Sequence, residues 1–238
     1  MRTLDMLLLH VSCALRKQEE VRSFVKKLLL TAFEPFGGER INPSLDAARQ
    51  MEKVDFPNAV VRVAELPVDR FRAVDIALEL VRAGRPDIVI MLGEAGGRHR
   101  ITPERVAINV DDFRIPDNAG NQPTDEPVIE GGPVAYFSTL PIRAIADRIN
   151  EAHIPAAISN SAGAYLCNRL FYSVMHTIGA EDLPIKAGFI HLPYLHDQAI
   201  NKYPDVPSLS RESIIEAVRL AIEVSLISLF SPRQRPEG

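Results

Sequence analysis

Cysteine is nearly absent from this chain of 238 residues, with Cys13 and Cys167 as the whole complement. Two thiols in unlike surroundings exclude a disulfide framework, and a reducing cytoplasm suits a free reactive thiol. Also missing is any apolar run near the roughly 20 residues that a membrane span needs. There is no run of basic residues and the net charge is -4, so neither nucleic acid nor a membrane is an expected partner. Gly37-Gly38 and Gly96-Gly97 each follow an apolar run, yet neither pair completes G-x-G-x-x-G or a P-loop, which argues against nucleotide binding. The six histidines include no H-E-x-x-H pair, and neither cysteine has partners at metal spacing. No cofactor and no metal are therefore expected. Internal repeats, low-complexity tracts and interdomain linkers are lacking as well.

What is present is a hydrophobic content of 46%, enough for one domain with a sizeable core. Residues 1–24 read as an N-terminal extension. Met6-Leu-Leu-Leu-His10 and Val11-Ser-Cys13-Ala-Leu15 imitate a signal sequence, but Asp5 and His10 interrupt it, charged residues follow from Arg16, and no convincing cleavage site appears. Residues 25–238 then alternate strand and helix patterns. Strands are expected over Lys26–Thr31, Val60–Glu65, Ile88–Leu92 and Ala156–Ile158. Helices are expected over Ser44–Lys53 (started by Asn42-Pro43-Ser44), Val68–Ala83, Pro141–Glu151 and Arg211–Leu229. This alternation predicts an α/β fold, a single-domain three-layer α/β/α sandwich around a mixed, mostly parallel twisted sheet. The stretch from Asp111 to Gly132, rich in Asp, Asn, Gly and Pro, breaks the rhythm; a loop of that length points to function or mobility.

Three residues carry chemistry. The small-residue turn Ser161-Ala-Gly163 leads into Leu166, Leu170, Phe171, Val174 and Ile178 at helical spacing, which puts Cys167 in a helix's first turn. There the unpaired N–H groups and the dipole favour an anion, so a thiol pKa lowered toward neutrality is expected. A buried thiol serving only as a small hydrophobe is the alternative. His191 ends the apolar run Ala187–Ile190, where site residues project in α/β sheets; a core histidine bonded to a carbonyl is the bland reading. Glu104 precedes Val106-Ala-Ile108 beside Arg105 and could be half of a surface ion pair. Together, a thiol, an imidazole and an acid are the parts of a thiol hydrolase: nucleophile, base and base-orienter.

These segments resemble the pyroglutamyl peptidase I family of cysteine peptidases, from about Lys27 to the terminal helix. The likeness is carried by Thr31-Ala-Phe33-Glu-Pro-Phe36-Gly-Gly38 with Ile41-Asn42-Pro43, and by Gly96-Gly97-Arg98 with Thr102-Pro-Glu104-Arg-Val-Ala-Ile-Asn109. Arg114-Ile-Pro-Asp117, Gly120-Asn-Gln-Pro123, Ser161–Asn168 and Phe189-Ile-His191-Leu-Pro193 complete it. The resemblance implies a Cys167–His191–Glu104 triad that removes N-terminal pyroglutamate from peptides, and a homodimer or homotetramer. It further implies that Arg114 supports the oxyanion. Phe33 and Phe36 would be ring-stacking walls, the Asn42 backbone would hold the lactam edge, and Ile115, Tyr165 and Leu166 would close the pocket. Tyr165 stands where the family usually has Phe, Ala32 where Gly is common, and Glu94, a further expected substrate-binding residue, where bacterial members often have Gln. The extra Glu94 carboxylate would bear on the pKa of His191 or the thiol.

Overall fold

The structure, a computed structural model, describes residues 25–200, 202 and 206–230; the expected extension 1–24, with Cys13, lies outside them. The strands are β1 (Lys26–Phe33), β2 (Ala59–Leu66), β3 (Ile88–Glu94), β4 (Thr102–Pro103), β5 (Val106–Ile108), β6 (Ala135–Phe137), β7 (Lys186–Leu192), β8 (Tyr194–Leu195) and β9 (Ser208–Leu209). The helices are α1 (Pro43–Met51), α2 (Arg72–Gly84), α3 (Ile142–Glu151), α4 (Leu166–Ala180), α5 (His196–Ala199) and α6 (Arg211–Phe230).

The main sheet runs β2-β1-β3-β7-β4, parallel except where β4 meets β7. Both faces are covered, which is why β1, β3 and β7 are almost continuously apolar. Leu28, Leu30, Ile88, Ile90 and Ile190 pack with residues of α1, α3 and α6 on one face. On the other, Leu29, Val89, Met91, Ala187 and Phe189 pack with α2 and α4. This is the expected three-layer sandwich. β1 has β2 on one side and β3 on the other, so the connection reverses direction at the carboxyl ends of β1 and β3. Ligand crevices form at such a switch point.

Two expectations at element level are corrected. Ala156–Ile158 is not a strand but an extended segment joined by isolated bridges, Ile101 to Ala156 and Glu104 to Ser159. Pro103, which has no N–H to donate, interrupts the ladder between them. Helix α2 starts at Arg72 rather than Val68, because the Asp69 carboxylate accepts from the N–H groups of Phe71 and Arg72 at 2.9 Å each and fixes the entry there.

Candidate active site

Cys167 is the second residue of α4, as its sequence context predicts. Gly163, at a φ of +80°, makes the turn that aims the chain into the helix. Tyr165, the residue before the helix, makes no side-chain capping bond, so its first-turn N–H groups are not capped by it. The thiol rests on the sheet at Gly93. A Cβ there would lie 2.8 Å from the Cys167 sulfur and 2.7 Å from the Phe189 ring, so only a glycine lets the sulfur settle so close to β3. In the neighbouring strand, the residue paired with Gly93 is His191. Side chains alternate along β7, so His191 shares the α4-facing surface with Ala187 and Phe189.

His191 is 4% exposed and meets Glu104 through Nδ1 and Oε1 at 2.7 Å. Glu104 is held at the end of β4 by its N–H, which donates to Phe189 O at 2.8 Å. Sequence reasoning overlooked Arg98 as a member of the site. Its Nη1 donates to Glu104 Oε1 at 2.5 Å and to Thr102 Oγ1 at 2.6 Å, and its Nη2 donates to Ser161 O at 3.1 Å. The signal was there in Gly96-Gly97-Arg98, but within Arg98-His-Arg100 the residue reads as one more solvated cation.

The electrostatics correct one expectation. The thiol pKa is not lowered: burial pushes it up to about 12, helped by the Glu104 charge and opposed by Arg98. Burial also holds the imidazolium form of His191 down below its ordinary range, against the pull of Glu104. For Glu104, burial is the largest influence and acts upward, but the bond and charge of His191, the Ser159 hydroxyl and the Arg98 charge together outweigh it and keep the carboxyl below its usual range. The resting site is therefore a neutral thiol and a neutral imidazole beside a carboxylate. With Glu104 ionised, it accepts from Nδ1–H, which leaves Nε2 as the basic nitrogen.

A cavity of about 30 Å³ reaches Cys167 and is walled by Phe33, Phe36, Asn42, Val68, Glu94, Tyr165 and Leu166. It lies at the β1/β3 switch point and gathers six of the seven expected pocket residues. Ile115, the seventh, lines an adjoining cavity of about 440 Å³ with Arg114, Asp112, Tyr194, Phe36, Glu94 and Tyr165. Arg114 thus stands on the outer wall, whereas the cation acting on the thiol is Arg98. The extra hydroxyl of Tyr165 is satisfied by Pro116 O at 3.3 Å. The Asn42 side chain is turned into the fold, accepting from Ser44 N at 3.0 Å and donating to Glu34 O at 3.1 Å. Glu94 accepts from Gln198 Nε2 at 2.7 Å, and burial raises its carboxyl to about 7 against that bond. Among the described residues no group of three or more His, Cys, Asp or Glu could hold a metal ion, and no helix is long and apolar enough to cross a membrane.

Comparisons with known proteins place most of the chain beside one family. A family model described as pyroglutamyl peptidase matches residues 26–228. The pyrrolidone-carboxylate peptidase of Vibrio parahaemolyticus is 48% identical over 200 residues, covering 84% of this chain and 92% of its own. That of Thermococcus onnurineus is 49% identical over 201 residues, covering 84% and 98%. Among solved structures, the pyroglutamyl peptidase I of Bacillus amyloliquefaciens superposes with a TM-score of 0.82 at 42% identity, covering 85% of this chain and 95% of that one. The pyrrolidone carboxyl peptidase of Thermococcus litoralis gives 0.84 at 44% identity, covering 87% and 96%. With a family match running from the first strand almost to the end of the last helix, the chain belongs to the pyroglutamyl peptidase family.

Proposed function

We propose that this protein is a cysteine exopeptidase that hydrolyses the amide bond after an N-terminal pyroglutamyl residue of small peptides, with Cys167 as nucleophile, His191 as general base and acid, and Glu104 as orienter. The observation that carries the reading is the meeting of three distant segments. The Cys167 sulfur sits on Gly93, the strand neighbour of Gly93 is His191, and His191 is bonded to a buried carboxylate.

Because thiol and imidazole both rest neutral, activation is a proton transfer coupled to attack. Cys167 gives its proton to His191 Nε2 as the sulfur bonds to the pyroglutamyl carbonyl carbon. Glu104 stabilises the imidazolium that forms without taking its proton. The uncapped N–H groups of the first turn of α4, with Arg114 from the outer wall, meet the developing oxyanion; losing one such donor typically costs about 3 kcal/mol. The carbon–nitrogen bond then breaks, and the amine leaves with the proton from His191. Water, deprotonated by the same nitrogen, hydrolyses the thioester.

Selection follows from desolvation. The lactam ring is uncharged, whereas a free N-terminal ammonium would enter the slot between Phe33, Phe36 and Leu166 without its water. Hydrolysis of a pyroglutamyl fluorogenic amide tests the proposal, with prolyl and unblocked aminoacyl amides as comparison. Cys167→Ser and His191→Ala are each expected to abolish turnover. Near-normal rates in Cys167→Ser would end the mechanism, and comparable cleavage of the unblocked amides would end the slot argument.

A further inference from the structure

The Arg98 side chain joins two of the three segments composing the site, and its partner Thr102 pairs with the third. Nη1 is shared between Glu104 Oε1 and Thr102 Oγ1, and Nη2 reaches Ser161 O on the turn that feeds α4. Thr102 in turn pairs with His191 in the sheet. Glu104 is 0% exposed, and its second oxygen, Oε2, meets no hydrogen-bond donor among the described residues. A carboxylate so enclosed stays ionised only if hydrogen bonds and charge together compensate its lost water; otherwise it takes up a proton. The neutral imidazole of His191 supplies a hydrogen bond but no charge.

We propose that Arg98 is a positioning residue of the hydrolysis, a guanidinium clamp that ties Glu104 to Thr102 and to the Ser161 turn and adds its charge to the bonds holding Glu104 anionic against His191, so that base and nucleophile keep their register. The proposal rests on the Cys167–His191–Glu104 reading above. The charged and titratable groups facing the site are few. Cys167 faces Glu104 and Arg98, with Glu94 at the end of β3 and the Tyr165 hydroxyl beside α4. His191 faces Glu104 and Arg98. Glu104 faces His191 and Arg98, with the Ser159 hydroxyl alongside. Among the described residues, Arg98 is thus the only cation acting on all three triad residues. Its charge opposes the imidazolium and favours the thiolate, so its removal lets both protonated forms persist to higher pH.

The test compares the full chain with Arg98→Met and Arg98→Lys, following kcat, KM, the pH profile of kcat/KM, and the pH dependence of Cys167 alkylation by iodoacetamide. Arg98→Met is expected to lower kcat about ten- to a hundredfold, as small misplacements of reacting groups do, with KM little changed. Its activity and alkylation profiles should both move to higher pH. Arg98→Lys keeps the charge while losing the fork, so its profiles should stay in place while kcat recovers in part. Arg98→Gln, also uncharged, is read in the same way if Arg98→Met does not fold. Equal losses in the Met and Lys variants with unmoved profiles would overturn the proposal, as would wild-type behaviour of Arg98→Met. Cys167→Ala separates the two readings: activity surviving in it sinks the triad itself, whereas a dead Cys167→Ala beside an unmoved Arg98→Met profile sinks only the clamp.

Discussion

At the scale of single residues, the site is defined as much by an absent side chain as by those present. The Cys167 sulfur occupies the space a Cβ on Gly93 would take, with the fully buried Phe189 ring on the other side. Gly93→Ala must therefore displace the thiol or open the core. Overpacking of this kind costs about 1–3 kcal/mol, and a displaced nucleophile should lower kcat about ten- to a hundredfold. Paired measurements of melting temperature and of kcat on a pyroglutamyl amide check both effects; an unchanged kcat would mean that the thiol has another resting place. Glu94 argues a second outcome. Its carboxyl titrates at about 7 because it is buried, and a lactam entering the slot strips away more of its water. Binding then favours the neutral acid, so KM should rise as pH passes upward through about 7, by as much as about tenfold between about pH 6 and about pH 8. Glu94→Gln removes that titration and should flatten the KM profile; a KM that climbs equally in both proteins assigns the effect elsewhere.

At the scale of elements, the pocket wall depends on a helix terminus. Asn42 is buried, accepts from Ser44 N to start α1, and anchors Glu34 O in the segment that carries Phe33 and Phe36. Asn42→Ala removes both bonds and the one that Oδ1 accepts from Ser44 Oγ at 2.7 Å. It is expected to lower stability by about 1 kcal/mol, or a melting temperature lower by about 2–4 °C, and to raise KM, because the aromatic wall loses its tether; an unchanged KM would free the wall from the cap. This cap was legible beforehand, since Asn-Pro-Ser ahead of an apolar periodicity is a local signal. The first turn around Cys167 was legible for the same reason. Contacts between distant segments were not. Glu104 and His191 lie 87 positions apart, and nothing local distinguishes Glu104 from a surface acid; a thiol and an imidazole elsewhere made it a candidate, and the likeness to a family strengthened it. The raised pKa of the thiol was misjudged from sequence, because the helix N-terminus is visible there and the burial that outweighs it is not. The bridged segment at Ala156 looked like a strand because apolar β-formers do not reveal that Pro103 interrupts its partner.

At the scale of the whole molecule, the site occupies one end of the sheet and the chain enters at the other. β1 runs eight residues from Lys26 to Phe33, so at about 3.3 Å per residue its first residue lies roughly 25 Å from the aromatic wall. Backbone bonds tie the entry end, where Lys26 N donates to Asn58 O at 2.8 Å and Lys27 N donates to Asp87 Oδ2 at 2.8 Å, beside a cavity of about 690 Å³ lined by Val25, Leu28, Leu29, Val60, Leu80 and Ala83. Among the described residues both apolar layers begin at Leu28 and Leu29, and the family match begins at residue 26. The α/β alternation that predicted this sandwich likewise needs nothing before residue 25. A chain beginning at Val25 should therefore keep its kcat/KM on a pyroglutamyl amide within about twofold, since truncation acts through the backbone it unties and the site lies at the opposite end of β1. Side-by-side assays of the two lengths decide it. A tenfold loss in the shorter chain would place residues 1–24 against the peptidase domain and end their reading as an extension.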